Sequence, residues 1–426
     1  MKKVGVAILG LGVVGGGTYR ILTEKKEYFQ KTQKVDVTVE SVLEKFRDRA
    51  LALGVPEENI AANIEEVVCN PQVDIVVEVM GGVEPARTFV LTALRAGKTV
   101  VTSNKELFCK HWHELEAAAK KSNAGLYFEA SCVGGVPIIR TLIDGMQANK
   151  IQTLMGIING TTNYILTKMS DEGLEYADVL RQAQELGYAE KDPTADVEGY
   201  DASYKLSILS SLAFSKKVPL DKVYREGITK ISKTDIENGK KLGYVVKLLG
   251  IGKQTENGVE VRVHPTFIPK NHPLAMVNDS FNAVYLVGDS VGDIMLYGRG
   301  AGSLPTASAI VSDVIYAAKH DPDYVAFKNV ESDPAVKFAS DFVSSYFIHM
   351  SVKDSVGVLS KITGIFAKQG VSVKDVIQNA SGNSDSVVPL IFITHQTHEK
   401  AVRRAIEKIA ANEDVVSVDS VIHVEN

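Results

Sequence analysis

Three glycines, Gly10, Gly12 and Gly15, come directly after the apolar run Val4-Gly5-Val6-Ala7-Ile8-Leu9 and directly before a helix-forming stretch. This placement constrains the chain more than any other feature. The first glycine permits a tight turn, the second lets backbone approach a pyrophosphate, and the third lets a helix pack close to a sheet. The helix then presents free N–H groups to phosphate. A GxGxxG string alone carries little weight. Between a strand and a helix, at residue 10, it predicts a dinucleotide site at Gly10, Gly12, Val13, Val14 and Gly15.

The next 130 residues agree with this. Strand-like runs at Val35–Leu43, Val73–Val79, Thr99–Thr102 and Leu126–Ala130 alternate with helical stretches at Glu84–Ala96 and Leu107–Lys121. Strands alternating with helices imply βαβ units and a parallel sheet. From about residue 138 to 300 the pattern changes to an α+β one. Helices are predicted at Leu174–Glu185, Ala202–Phe214 and Asp235–Leu249, and strands at Val259–Pro265 and Asn282–Val287. A helix over Thr306–His320 follows. The last 80 residues read strand (Tyr346–Val352), helix (Val356–Gln369), strands (Val371–Asn379, Val388–Thr394), helix (Glu399–Ala410), strand (Val415–Val421). That is βαββαβ, the ferredoxin-like order. At 426 residues, about three domains are expected. The boundaries are 1–137 for a Rossmann-type dinucleotide domain completed by 306–328, 138–305 for a substrate and dimerisation domain, and 344–426 for a regulatory unit. The last junction falls in the polar stretch 329–343, which contains Pro334.

The formal net charge is −5, so the chain has no basic footprint for nucleic acid or an anionic membrane. No apolar run approaches the roughly 18 residues of a membrane span. Met1-Lys2-Lys3 before an apolar run resembles a secretory leader, but no small-residue cleavage site follows. Three cysteines, Cys69, Cys109 and Cys132, with no CxxC pair fit a reduced, cytoplasmic setting. His111 and His113 are two apart and cannot share a zinc from one helix face.

The charges that matter are local. After the second strand, Glu44 suits a ribose 2′-hydroxyl and so NAD, whereas Lys45 and Arg47 suit a 2′-phosphate and so NADP. The balance favours NADP, although all three would also pass as solvated loop charges. Thr102-Ser103-Asn104-Lys105 ends the fourth strand, where doubly wound sheets bind ligands, so Ser103, Asn104 and Lys105 should face the cofactor. Asn159-Gly160-Thr161-Thr162 is a polar turn whose donors suit a small polar substrate, or a helix N-cap, or both. Glu190, Asp192, Asp196, Asp201 and Lys205 form a carboxylate-rich run ending in lysine. Asp201 and Lys205 share a helix face. On an open surface such a pair would contribute only about 0.3–0.5 kcal/mol. In a closed pocket the lysine can exchange a proton with a carbonyl or hydroxyl oxygen. Glu129 to Pro137 is a glycine-containing turn whose carbonyls suit either a small hard cation or a domain junction.

In this order and spacing the clusters resemble homoserine dehydrogenase, in the monofunctional bacterial form with a C-terminal ACT domain. The E-x-D-P-x-x-D-x-x-G-x-D-x-x-x-K string from Glu190 to Lys205 and the Gly300-Ala301-Gly302-x-x-Pro305-Thr306 segment carry most of that resemblance. It implies reversible NAD(P)H-dependent reduction of L-aspartate 4-semialdehyde to L-homoserine, a step of threonine, methionine and isoleucine synthesis. It implies Lys205 and Lys105 as the catalytic pair, and Glu190, Asp201 and Asp196 with Gly160 and Thr161 as the substrate contacts. It also implies a monovalent cation, sodium, on backbone carbonyls of Glu129, Cys132, Gly134 and Val136. A homodimer or homotetramer follows from the same likeness, as does threonine feedback at Asp354–Leu359 of the ACT unit, unless that unit only oligomerises. Cys132-Val133 departs from the family pattern, which has a small apolar residue and then glycine or alanine there.

Two other functions compete. An acylating semialdehyde dehydrogenase would use Cys132 as nucleophile, but it needs a base histidine, and the sequence links none to that thiol. An amino-acid-sensing regulator would keep the ACT unit and would not need two lysines.

Overall fold

The structure, a computed structural model, describes residues 1–325, 336–378 and 387–425. Pro334, Asn379 and the end of the 306–328 segment lie outside these residues. The chain forms two compact units, one of Met1–Leu154, Ala202–Val223 and Phe281–Val336, the other of Met155–Asp201, Tyr224–Ser280 and Lys337–Asn426.

In the first unit the strands β1 (Lys2–Leu9), β2 (Val35–Leu43), β3 (Ile75–Glu78), β4 (Thr99–Thr102) and β5 (Leu126–Tyr127) form one sheet in the order β2-β1-β3-β4-β5. The pairings are parallel. Runs such as Val6, Ala7, Ile8 and Leu9 are wholly buried, as a sheet covered on both faces requires. The strand order reverses beside β1, so a crevice opens at the carboxyl ends of β1 and β3, where such sheets bind ligands. The helix Ser303–Lys319 returns to this sheet and buries Ala307, Ile310 and Val314 in the same core as Val6 and Ile8.

In the second unit the C-terminal sheet has the order Val415–Val424, Val343–Lys353, Val387–Thr394, Val373–Gln378, with the helices Val358–Lys368 and Glu399–Ala410 on it. This is the expected ferredoxin-like arrangement. Its edge is not free. Strand Val415–Val424 also pairs in parallel with Gly258–Pro269 through His423–Thr266 and Val424–Phe267. Arg262, fully buried, is held by Glu425 at 2.6 Å, and Glu425 also takes Lys253 at 2.7 Å. The C-terminal sheet is thus joined to strand Gly258–Pro269 by its last strand. Pairing between strands so distant in sequence leaves no local pattern to read.

One predicted element is corrected. The expected helix Asp235–Leu249 is a helix only over Lys233–Lys241, and Tyr244–Thr255 is a strand. The apolar run there contains Val245, Val246 and Ile251, β-branched residues that suit a pleated surface. It pairs with Gly258–Pro269 across the two-residue loop Glu256-Asn257. A short apolar run is ambiguous between helix and strand by periodicity alone.

A second joint in this unit is titratable. His349 on strand Val343–Lys353 meets the Asp235 carboxylate at 3.1 Å. Ser420 donates to the same oxygen at 2.7 Å, and Asp419 lies 3.9 Å from the other ring nitrogen. The hydrogen bond to Asp235 holds His349 above its ordinary pKa. Burial opposes ionisation of Asp235, but bonds from His349, Ser232 and Ser420 outweigh it and hold that carboxyl below its ordinary value. The histidine's contribution is therefore complete below its unfolded value near 6.5 and is lost as pH rises through its higher folded value. Thermal denaturation of the full chain between about pH 6 and 9 should show a falling midpoint, and His349→Gln should remove that slope.

Candidate functional site

In the first unit the glycine-rich turn is geometrically forced. A Cβ on Gly15 would stand 1.9 Å from the Gly10 carbonyl, so nothing larger than glycine fits. The helix that opens there, α1 (Val13–Glu24), has no side-chain cap and no acidic residue in its first turn. Its leading N–H groups are thus left without a side-chain cap, which suits phosphate. A cleft of about 840 Å3 begins at Gly10 and Gly12 and runs past Glu44, Lys45, Arg47 and Arg49.

Glu44 is engaged by backbone at the base of the cleft. Its carboxylate accepts from the Leu11 N–H at 2.6 Å and the Phe46 N–H at 3.0 Å, and Arg49 lies 3.4 Å away. Glu44 ties the glycine-rich turn to the end of β2. Lys45 and Arg47 are exposed on the cleft wall, Arg47 paired with Glu57 at 2.6 Å. Arg49, which sequence reasoning missed, adds a third cation there. Its only signal was the i, i+2 spacing from Arg47.

The Thr102–Lys105 corner is fixed from below. Thr102 donates to buried Glu78 at 2.6 Å. Burial raises the Glu78 pKa, against the hydrogen bonds it receives. Asn104 accepts from the Leu107 N–H at 3.0 Å, capping helix Lys105–Ser122, and donates to the Gly82 carbonyl at 2.6 Å. Its side chain is thus committed to aiming Lys105, the first residue of that helix. Ser103 and Lys105 are half-buried.

The Glu129–Val136 turn is buried. Glu129 accepts from the Ile139 and Arg140 N–H groups at 2.9 and 2.7 Å, and its own N–H donates to Asp313 at 2.8 Å. Burial, then Asp313, push the Glu129 carboxyl up to about 7, and burial pushes Asp313 up to about 6. Val133 has φ +56° and Gly134 φ +46°. Val133, β-branched, therefore holds a left-handed conformation that glycine would adopt without strain. Of the glycine or alanine expected at that place, this conformation favours the glycine. The Gly300–Pro305 segment packs on the turn, since a Cβ on Gly134 would stand 2.4 Å from the Gly300 carbonyl and one on Gly135 3.0 Å from Pro305, while Ser303 reaches the Val13 carbonyl at 2.7 Å.

Lys205, half-buried, lies on helix Tyr200–Phe214, and its carbonyl is 3.9 Å from Cys132 Sγ. The Cys132 thiol is fully buried, and burial pushes it up to about 12 while Lys205 and Lys105 pull it down. Two conclusions follow. Both lysines act electrostatically on one point of the first unit. The thiol remains protonated near neutrality, so it is a poor nucleophile and the acylating alternative loses its reactive group.

In the second unit Asn159 is the hub. It caps helix Gly160–Glu172 by accepting from the Thr162 N–H at 2.9 Å. Its amide donates to Asp196 at 2.7 Å and to buried Asp201 at 2.9 Å. Thr161 donates to the Tyr188 carbonyl at 2.7 Å. The structure thus gathers Asp196, Asp201, Gly160 and Thr161, with Asn159 as an unpredicted organiser. Glu190 is exposed and is not drawn into this network by any hydrogen bond of its carboxylate. Among the described residues no cluster of three His, Cys, Asp or Glu side chains could hold a metal, and no helix is long and apolar enough to cross a membrane.

The comparisons with known proteins come to the same place. A family described as "Homoserine dehydrogenase" matches residues 137–315, "Homoserine dehydrogenase, NAD binding domain" matches 10–129, and "ACT domain" matches 346–413. A Bacillus subtilis homoserine dehydrogenase is 41% identical, over 100% of this chain and 99% of its own length. The crystal structure of a homoserine dehydrogenase from Thiobacillus denitrificans superposes with TM-score 0.92 at 41% identity, covering 100% of this chain and 99% of that one. A hyperthermophilic archaeal homoserine dehydrogenase in complex with NADPH matches with TM-score 0.63 at 30% identity, over 74% of this chain and 97% of its own.

Proposed function

The chain belongs to the homoserine dehydrogenase family, NAD(P)-dependent oxidoreductases acting on a CH–OH group, and on that premise we propose how its own residues divide the work. The substrate pair is L-homoserine and L-aspartate 4-semialdehyde. When bound, the nicotinamide supplies or receives the hydride at the substrate's C4. Lys205 gives the proton to the developing alkoxide and takes it back in the reverse direction. Lys105, aimed by Asn104, adds positive charge where that oxygen becomes negative. Asp201 and Glu190 hold the substrate ammonium, Asp196 keeps Asn159 in place, and Gly160 and Thr161 offer the helix N-terminus to the substrate carboxylate. The observations that support the catalytic assignment are the place of Lys205 beside Cys132 and of Lys105 at the start of the helix capped by Asn104.

NADP is the favoured cofactor, with NAD as the alternative. The support is that both oxygens of Glu44 are engaged, while Lys45, Arg47 and Arg49 line the cleft. A 2′-phosphate would meet Lys45, Arg47 and Arg49 at that corner. Arg47→Ala together with Arg49→Ala should raise KM for NADP+ roughly tenfold or more and leave KM for NAD+ nearly unchanged, read from initial rates with each cofactor. Equal effects on the two cofactors would remove the assignment.

The oxygen-only donor set of Glu129, Cys132, Gly134 and Val136 carbonyls suits a hard monovalent cation such as sodium. The successive positive φ angles at Val133 and Gly134 turn the peptide planes of that stretch, as a carbonyl cage requires. A threonine effector at Asp354–Leu359, a homodimer or homotetramer, and a cytoplasmic location belong to the same reading. So do the domain limits 1–137 with 306–328, 138–305 and 344–426.

A further inference from the structure

The second unit holds a lysine that no step of the reaction uses. Lys247 lies on strand Tyr244–Thr255 and is fully buried. Its three N–H groups go to neutral oxygens: the Val277 carbonyl at 2.5 Å, Asn163 Oδ1 at 3.1 Å and Asn278 Oδ1 at 3.2 Å. Among the described residues it forms no ion pair with a carboxylate. Asp171 and Asp279, both exposed, act on it only from a distance. Burial pulls the ammonium down to about 8 against those two acids, so it still carries its charge at neutral pH. Burying an ammonium without a counter-ion is costly, and an apolar side chain is the ordinary occupant of such a place.

What Lys247 touches gives the charge a use. Asn163 is the fourth residue of helix Gly160–Glu172, one turn in from the N-terminus that Asn159 caps. From Gly160 to Asn163 the helix rises only about 4.5 Å. Asn163 is buried too, and its amide donates to the same Val277 carbonyl at 3.1 Å. Thr167, one turn further along the same face, accepts from the Asp279 N–H at 3.2 Å. The first two turns of the helix are therefore clamped to the loop Val277–Asp279, with the ammonium at the centre of the clamp.

The electrostatics of the helix end require a positive charge. Asn159 gathers the carboxylates of Asp196 and Asp201 there. Those suit a substrate ammonium but oppose a substrate carboxylate. The helix N-terminus offsets part of that opposition with the partial charge of its free N–H groups. A full positive charge one turn below, in an interior where screening is weak, adds to the same field.

We propose that Lys247 is a positioning residue for the substrate carboxylate, holding the start of helix Gly160–Glu172 in place and adding positive charge beneath it. This role rests on the reading that Gly160 and Thr161 take that carboxylate. Initial rates of NADP+ reduction with L-homoserine and with L-homoserine amide test it, since the amide keeps the ammonium and the hydroxyl but lacks the carboxylate. The parent should prefer the acid. Lys247→Met should raise KM for homoserine roughly tenfold, with a smaller effect on kcat, on KM for the amide and on KM for NADP+. Asn278→Asp keeps every acceptor of the ammonium and places a carboxylate against it from the loop. It should raise KM for homoserine roughly threefold, leave KM for the amide unchanged and not lower the thermal denaturation midpoint. If Lys247→Met does not fold, Asn278→Asp decides alone. An unchanged KM for homoserine in Asn278→Asp, or an equal loss with acid and amide in Lys247→Met, would make Lys247 a strut with no part in carboxylate binding. A parent that uses acid and amide alike would instead overturn the carboxylate reading of Gly160 and Thr161, and the role of Lys247 with it.

Discussion

Replacing Lys205 with alanine is expected to lower kcat for homoserine oxidation by roughly 10²- to 10⁴-fold, the usual range for loss of a positioned proton carrier. Cofactor KM should change little, because the glycine-rich turn, α1 and the cation wall are separate from helix Tyr200–Phe214 in the chain. Lys205→Arg should be almost as slow. A guanidinium keeps the charge but does not give up a proton near neutrality. The contrast between these variants separates proton transfer from simple charge stabilisation. Cys132→Ser is the internal control and should keep most of the activity, since the thiol is buried, protonated and held up to about 12. An inactive Cys132→Ser with an active Lys205→Ala would reverse the assignment. Steady-state rates with each variant, with folding checked by thermal denaturation, decide it.

Asp201→Asn should raise KM for homoserine roughly 10- to 100-fold with a smaller effect on kcat. The carboxylate is buried and accepts from Asn159 at 2.9 Å, so its charge faces few competing waters. Losing a charge-assisted bond to an ammonium removes about 1.5–3 kcal/mol, and each 1.4 kcal/mol is a factor of ten. Asparagine keeps an acceptor for the Asn159 amide, so the cap on helix Gly160–Glu172 should survive. Asp201→Ala would lose both and should also destabilise the loop. A substrate KM unchanged in Asp201→Asn would remove this residue from the ammonium site.

Much of this was legible in the sequence because it is local. The glycine turn, the strands of the parallel sheet and the βαββαβ order each leave a periodic or spaced signature within a few residues. The missed features depend on neighbours distant in the chain. The bond from the Leu11 N–H to Glu44 joins residues 33 apart, so no local pattern announces it. Asn159 looks like a plain helix cap until Asp196 and Asp201 converge on its amide. Tyr244–Leu249 looks helical until the partner strand Gly258–Pro269 is seen. Glu190 stands out in the motif, yet the structure leaves its carboxylate exposed. Val133 shows the converse, because its departure from the expected glycine or alanine acquires a physical meaning only with its φ of +56°.

The central claim is that this chain oxidises L-homoserine to L-aspartate 4-semialdehyde with Lys205 as the proton carrier. One measurement tests it most directly: initial rates of NADPH formation from L-homoserine and NADP+ by the parent chain and by Lys205→Ala, at equal folded concentration. The expected result is steady, homoserine-dependent turnover by the parent and a loss of at least roughly a hundredfold in the variant. A parent that binds NADP+ but never reduces it with homoserine, or a variant as fast as the parent, would contradict the account.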